Sequence, residues 1–282
     1  MQQSRRERVF NLPAVILVLV AFMGALHAVR VYLLSPDEDI SLVTLLAFVP
    51  ARITAQFDAA GVAAAFRQLA LKGGDDLEFA RFFFGDGSPQ PWTILTYSFL
   101  HADWAHFGLN SVWLAAFGAP VARRFGPVRF LTLFIITAVA GAAAHYLFHR
   151  FDAAPVIGAS AAVSGAMAAA IRFVFQPGAP LGQSLSYDED ERRAYRQPAL
   201  PLLQVLKDRR ALTFLIFWFV TNLIFGVAAQ PLGLSESGIA WEAHVGGFLA
   251  GLLLFSWFDP RHPPAISDVP LEPEEDIVES RP

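Results

Sequence analysis

Six long stretches of this chain contain almost no charged side chain, and they limit the folds it can adopt. They cover residues 11–29, 105–122, 130–148, 157–171, 211–230 and 239–258. About 20 apolar residues in a helix cross the roughly 30 Å hydrocarbon core of a bilayer. The composition agrees, because 55% of the residues are hydrophobic and 16% are charged, against about a quarter charged in soluble domains. We therefore predict an all-α, polytopic membrane protein built as a bundle of six transmembrane helices.

The same stretches divide the chain. Residues 11–258 form the predicted membrane domain, residues 1–10 a cytoplasmic segment, and residues 259–282 an acidic, Pro-rich tail that lacks apolar periodicity and is predicted to be disordered. The first stretch is longer than the apolar core of a signal peptide and no cleavage site follows it, so we predict a retained helix. The fourth is short unless the stem of Arg172 extends to the membrane surface.

Positive residues indicate the orientation, since Lys and Arg near membrane ends stay on the cytoplasmic side. They concentrate in alternate connections, for example at Arg123, Arg124 and Arg129, and this places both termini in the cytoplasm. The first outer connection, residues 34–101, has apolar patches typical of amphipathic pieces in the membrane interface. The chain has no cysteine, which excludes disulfides and thiolate chemistry, and nucleic acid is not an expected partner.

Four of the polar side chains inside the predicted spans lie at one depth near the outer side. Ser160 and His244 each fall a few residues into a span that descends from that side. His106 and Asn110 are four residues apart, so they share one helical face near the same end of the second span. Polar groups inside a membrane are costly and mark functional sites. Their common depth indicates a single site.

These residue types fit acyl transfer by a serine nucleophile. A serine hydroxyl attacks a carbonyl once a base such as imidazole accepts its proton, which assigns the attack to Ser160 and the base to His244. The tetrahedral intermediate needs hydrogen-bond donors for its oxyanion. His106, Asn110 and the backbone N–H of Ser160 are the candidates.

Each of these residues also has a structural interpretation. Serines among small residues commonly join transmembrane helices, and Ser164 is interpreted in that way, as Ser160 would be if it stood alone. Gly247 and Gly251 form a GxxxG step, which lets two helix backbones approach closely. Such an approach would bring Ser160 within reach of His244.

No metal or other cofactor is expected. Cysteine is absent, and His101 and His106 are five residues apart, whereas a spacing of three or four would put two ligands on one helical face. An interfacial or solvated role is expected for the other histidines, which lie near span ends or in the tail, at positions 27, 145, 149 and 262.

Three motifs resemble those of the rhomboid proteases, over residues 91–258. They are a His-x4-His-x3-Asn pattern, a Gly-x-Ser-Gly motif with a later glycine, and an Ala-His pair followed by two glycines. Here they are His101, His106 and Asn110; Gly158, Ser160 and Gly165; and Ala243, His244, Gly247 and Gly251. Three motifs in order, on the expected spans, form a specific signal.

The resemblance implies a Ser160–His244 dyad that cuts single-span membrane proteins near the outer face, inside the lipid bilayer and without a cofactor. It implies that His106 and Asn110 stabilise the oxyanion. A structural role near the site is implied for His101, Gly158, Gly165, Gly247 and Gly251. Abundant alanine, with arginine preferred over lysine, favours a bacterial plasma membrane.

The chain departs from the rhomboid pattern at three positions. Ala161 follows the nucleophile in place of a glycine, and Thr93 follows Trp92 where an arginine is common. Ser164 stands where an aromatic residue often stacks on the catalytic histidine. The resemblance therefore leaves open what orients the ring of His244 and what anchors the outer loop.

A rhomboid-like protein that binds and escorts transmembrane helices without cutting them is the alternative. Loss of the serine or of the histidine is its usual sign, and Ser160 and His244 are both present. A transporter is a more distant alternative, because the chain has no evident repeated halves.

Overall fold

The described part of the chain is mainly helical. The computed structural model describes residues 12–176, 179, 195, 198–224 and 240–260. Its helices are α1 (Ala14–Tyr32), α2 (Pro36–Leu46), α3 (Pro50–Thr54), α4 (Ala59–Lys72), α5 (Asp76–Phe84), α6 (Thr93–Thr96), α7 (Trp104–Trp113), α8 (Ala119–Phe125), α9 (Pro127–His149), α10 (Ser160–Ala170), α11 (Leu202–Val205), α12 (Arg209–Leu223) and α13 (Trp241–Phe258). The prediction of an all-α fold is confirmed.

Each of the six predicted spans contains a helix. They are α1, α7 with α8, α9, α10, α12 and α13, where a π-helical turn at Leu114–Gly118 makes α7 and α8 one continuous segment. Among the described helices, α1 and α9 are long and apolar enough to cross a membrane on those criteria alone. Residues 1–11, 225–239 and 261–282, and with them the predicted N-terminal segment and nearly all of the predicted tail, lie outside the described residues.

The fourth span differs from its prediction at both ends. Helix α10 begins at Ser160 rather than near residue 157, because Gly158 has φ +125°, which a right-handed helix does not contain. At the other end, Arg172 does not extend to the surface. Its side chain is buried and its Nε donates a hydrogen bond to the Leu200 carbonyl at 2.6 Å. Helix α10 is therefore a short helix enclosed by protein.

Small residues let α9, α10 and α13 pack with their backbones in contact. A Cβ atom at Gly247 would collide with the carbonyl of Ala161, and one at Gly251 would collide with the carbonyl of Gly165. The GxxxG step of α13 is therefore the contact surface with α10. This contact sets the height of α13 relative to the first turn of α10.

The outer connection is a set of helices, α2 to α6, held by polar contacts to the bundle. Arg52 of α3 donates hydrogen bonds to the side chain of Gln90 and to the carbonyls of Thr44 and Phe84. The indole of Trp92 donates to the Leu45 carbonyl at 2.8 Å. Arg52 thus anchors the loop from another helix, although the residue after Trp92 is not an arginine.

A second anchor ties this connection to α1. Arg30 pairs with Asp39 of α2 through Nε at 2.6 Å, and its Nη1 donates to the carbonyl of His101 at 2.7 Å. One buried guanidinium thus joins α1, α2 and the turn that precedes α7. That turn leads directly to His106.

Candidate active site

Ser160 is the first residue of α10, and the preceding backbone passes directly against a histidine. A Cβ atom at Gly158 would lie 2.8 Å from Cε1 and Nε2 of His106 and 3.7 Å from Oγ of Ser160. The glycine is required both by its positive φ and by this close approach. The ring of His106 and the hydroxyl of Ser160 therefore lie beside the same α-carbon.

The N-terminus of α10 leaves backbone donors next to the serine hydroxyl. Ala159 at the N-cap contributes no side-chain hydrogen bond. The first N–H groups of a helix have no partner within the helix, and they carry a partial positive charge. The turn that exposes Ser160 therefore also presents N–H groups where an anion could bind.

Local hydrogen bonds fix the ring of His106. The Asp103 side chain caps α7 by accepting from the N–H of His106 at 2.7 Å, and Nδ1 of His106 accepts from the N–H of Ala102 at 3.4 Å. With Nδ1 as an acceptor, the neutral ring carries its proton on Nε2, the atom that faces Gly158. His106 thus presents a hydrogen-bond donor beside Gly158.

Asn110 lies one turn further along α7 and is buried. Its Nδ2 donates to the carbonyl of His106, on its own helix, at 3.0 Å. An amide NH₂ group has two hydrogens, so one further donor remains. This hydrogen bond does not tie α7 to a neighbouring helix.

His244 lies in the first turns of α13, where Nδ1 contacts the side-chain oxygen of Asn222 on α12 at 2.5 Å. Gly247, one turn along the same face, touches Ala161, so His244 and Ser160 lie at neighbouring levels of the packed pair. No direct hydrogen bond joins them among the described residues.

His101 lies beside the site with its ring enclosed by aromatic groups. The ring centroid is 5.1 Å from that of His106 and 5.6 Å from that of Phe107. Neither ring nitrogen has a hydrogen-bond partner within the part of the chain that the structure describes. Ser164 is buried one turn into α10, whereas Ser160 is half-buried.

Sequence reasoning missed two groups of residues near this site. Asn222 was not singled out, and no local pattern points to a partner on another helix. The second group is His145, His149 and Glu242, whose potential ligand atoms all lie within 4.8 Å of one another. The spacing of four between the two histidines was the available signal for that group.

Comparison with known proteins decides the family. The Rhomboid domain family matches residues 88–259, more than half of the chain. The chain belongs to the rhomboid family. It is therefore an integral membrane protein, and the six helical segments are those of a polytopic rhomboid bundle. The matched region contains Ser160, His244 and the pair on α7.

Curated rhomboid relatives also match more than half of the chain. The chain is 29% identical to the mitochondrial RHOMBOID-like protein 12 of Arabidopsis thaliana, over 58% of this chain and 45% of that protein. It is 27% identical to Rhomboid-like protease 3 of Toxoplasma gondii, over 64% and 55%. It is 28% identical to the rhomboid protease GlpG of Yersinia pestis, over 60% and 48%. The chain spans about half the length of the curated relatives it matches.

Proposed function

We propose that this rhomboid is an intramembrane serine endopeptidase with Ser160 as the nucleophile and His244 as the base. The observation that carries the proposal is the arrangement around Gly158, where a serine at a helix N-terminus and Nε2 of His106 lie beside the same α-carbon. The packing of α13 on α10 supports the role of His244, because it brings the imidazole to the level of the serine.

The proposed reaction proceeds through an acyl-enzyme. Oγ of Ser160 attacks the peptide carbonyl while Nε2 of His244 takes its proton, and the imidazolium then gives that proton to the leaving amine. Water, activated by the same nitrogen, hydrolyses the ester. The oxyanion forms beside Nε2 of His106, the amide of Asn110 and the N–H of Ser160, which are its proposed donors. The mechanism uses no metal and no other cofactor.

The proposed substrates are single-span membrane proteins, cut at small residues near the outer face. A peptide bond must leave its helix to be attacked, and extended backbone is unstable in lipid, so the enzyme must enclose the cleaved segment in a polar cavity. The start of α10, with polar groups from α7 and α13 around it, is where such a segment would bind.

We also propose that both termini are cytoplasmic and that α10 begins on the outer side of a bacterial plasma membrane. Single cysteines test the orientation in this cysteine-free chain. A cysteine at the exposed Ser88 should react with an impermeant maleimide in intact cells, and one at the exposed Gln204 should react after permeabilisation. The opposite pattern would put the site in the cytoplasmic leaflet.

Cleavage of a single-span reporter protein in liposomes tests the activity. We expect wild-type cleavage, no cleavage with Ser160→Ala or His244→Ala, and no further loss in the double variant, because the two residues act as a unit. Ser164→Ala is the matched control and should cleave normally. If the wild type binds the reporter but never cuts it, the escort function replaces the protease.

A further inference from the structure

One ring nitrogen of His244 is hydrogen-bonded to a residue that the rhomboid motifs do not include. Its Nδ1 lies 2.5 Å from Oδ1 of Asn222, and Nδ2 of Asn222 donates to the carbonyl of Trp218 at 2.8 Å. A carbonyl can only accept, so the Trp218 bond fixes the amide with its NH₂ group toward Trp218 and its oxygen toward the imidazole. Nδ1 of His244 must then be an N–H donor.

This tautomer is the one that a base requires. With the proton on Nδ1, the lone pair of the neutral ring is on Nε2, the nitrogen that would accept the proton of Ser160. We propose that Asn222 is the positioning residue of the base, and that it holds His244 in this tautomer and orientation. The inference rests on the proposed protease function, because it assigns a role within that site.

Asn222 holds the ring of His244, which Ser164 cannot do. In the rhomboids that this chain resembles, an aromatic residue at that place often stacks on the histidine, whereas Ser164 is small and buried in α10. No aromatic ring stacks on His244 among the described residues. The ring of His244 instead donates a hydrogen bond to Asn222 on α12.

The packing of α12 on α13 sets the position of Asn222. The indole of Trp218 stacks on the ring of Phe248, with centroids 4.5 Å apart and an interplanar angle of 26°. The backbone carbonyl of the same Trp218 accepts the hydrogen bond from Asn222. Trp218 thus packs α12 against α13 and orients the side-chain amide of Asn222.

The variants Asn222→Ala and Asn222→Asp test this role through kcat, KM and the pH profile. Asn222→Ala should lower kcat on the order of 10- to 100-fold, because the imidazole loses its orientation, while KM stays close to wild type. Asn222→Asp keeps an acceptor and should recover most of kcat. Its carboxylate also stabilises the imidazolium, so the acidic limb of the kcat profile should move to higher pH.

If Asn222 had a purely structural role, the acidic limb of the kcat profile would not move. Val220→Ala, at an exposed position two residues away, is the matched control. Unchanged kcat in Asn222→Ala, or an unshifted acidic limb in Asn222→Asp, would overturn the inference. If Ser160→Ala also still cleaves the reporter, the protease function has failed instead. An inactive Ser160→Ala beside a fully active Asn222→Ala removes only the role of Asn222.

A second, independent observation concerns the C-terminal end of α9 and the N-terminal end of α13. His145 and His149 are one turn apart, and Glu242 lies opposite them on α13. The distances are 3.6 Å from Nδ1 of His145 to Oε2 of Glu242 and 3.0 Å from Nε2 of His149 to Oε1. Three typical metal ligands therefore converge from two helices.

Burial shows that the cluster is incomplete as it stands. The side chain of His145 is 9% exposed, and its Nδ1 has no hydrogen-bond partner within the described residues. Glu242 is equally buried. Glu242 already contacts His149, but a buried nitrogen without a partner is costly, and a cation bound beside Nδ1 of His145 would give it one.

The geometry points to a binding site for one transition-metal ion of the Zn²⁺ type, held by His145, His149 and Glu242. Two imidazoles and a carboxylate are a common zinc set that leaves a fourth position open. The carboxylate of Asp152 lies 4.0 Å from Nδ1 of His149, beyond hydrogen-bond distance. A bound ion would join α9 to α13 two residues before His244.

Zinc binding by the purified full chain, carrying no polyhistidine tag and stripped with chelator, tests this site without reference to activity. Titration calorimetry with ZnCl₂ should show one saturable ion per chain, and the melting temperature should rise on binding. His149→Ala should weaken binding by at least about tenfold. His262→Ala, in the C-terminal tail, is the control and should bind as wild type does.

Glu242→Gln guards against misfolding of the histidine variant, because it keeps the shape of the side chain and removes its charge. It should also weaken zinc binding. An absence of saturable binding to the wild type would overturn the site. So would equal affinity in the wild type, His149→Ala and Glu242→Gln.

Discussion

Helices α10 and α12 both carry residues of the proposed site, but they are packed very differently. Every residue of α10 from Ala161 to Ala170 is buried. On α12, the buried positions are Ala211, Leu215 and Trp218, along one narrow stripe. A helix enclosed on all sides has few alternative positions, whereas a helix with few buried contacts shifts at lower cost. The proposed nucleophile therefore stands on the fixed helix, and the residue that orients the base stands on the loosely held one.

The different packing of α10 and α12 affects the nucleophile and the base in different ways. Ser160 and the N–H groups beside it are positioned by close backbone contacts that leave no room for change. The hydrogen bond from His244 to Asn222 depends on the docking of α12, to which the stacking of Trp218 on Phe248 and the contact of Phe214 with Phe117 contribute. Displacement of α12 would leave the serine in place and release the base. Substitutions on the two helices should therefore fail in different ways.

The largest effect is expected at the contact between α10 and α13. Gly247→Ala would drive a methyl group into the carbonyl of Ala161, and neither backbone can yield in a close-packed pair. We expect the variant to lose its folded state, as measured by recovery in detergent and by melting temperature. Gly108→Ala is the matched control, because nothing lies within 4 Å of its added methyl group. Equal stability of the two variants would contradict the close packing of α10 against α13.

The next largest effect is expected for Asn110→Ala. This variant distinguishes a role in catalysis from a role in helix packing. The hydrogen bond of Asn110 lies within its own helix, so stability should change little. Loss of an oxyanion donor should lower kcat, on the order of 10- to 1,000-fold, with a smaller change in KM. Both quantities can be measured on one preparation. A normal kcat in a stable protein would leave His106 as the only side-chain donor to test.

The smallest effect is expected from loosening α12. Trp218→Ala removes one stacked aromatic pair, which contributes about 1 kcal/mol beyond burial, and lipid gives little hydrophobic penalty for the loss. We expect a melting temperature a few degrees lower, together with a fall in kcat like that of Asn222→Ala. Phe217→Ala, at the exposed neighbouring position, should change neither. A loss of stability as severe as that of Gly247→Ala would contradict the proposed difference in packing between α10 and α12.

The sequence predicted the helical spans and the motif residues because both are local patterns. Apolar length locates a span, and the three-residue interval between His244 and Gly247 puts the imidazole and the contact glycine on one face of α13. The start of α10 was predicted too early, since hydropathy does not register the positive φ of Gly158. The structure instead makes Ser160 the first residue of its helix, beside free backbone donors.

Contacts between distant positions could not be predicted from the sequence. Asn222 is an ordinary polar residue in the middle of an apolar run, and its role depends on how α12 docks. The same holds for Arg52, which anchors the outer loop from α3 although the residue after Trp92 is Thr93. The histidine pair on α9 had a visible spacing of four, but its third partner, Glu242, is 93 positions from His149.

The most direct test of the account is labelling with a fluorophosphonate probe, which reacts with an activated serine, followed by identification of the modified peptide. The wild type should be modified at Ser160, and Ser164→Ala should be modified to the same extent. Ser160→Ala should remain unlabelled, and His244→Ala should react far more slowly because the hydroxyl has lost its base. No labelling of the folded wild type, or modification at Ser164, would contradict the assignment of Ser160 as the nucleophile.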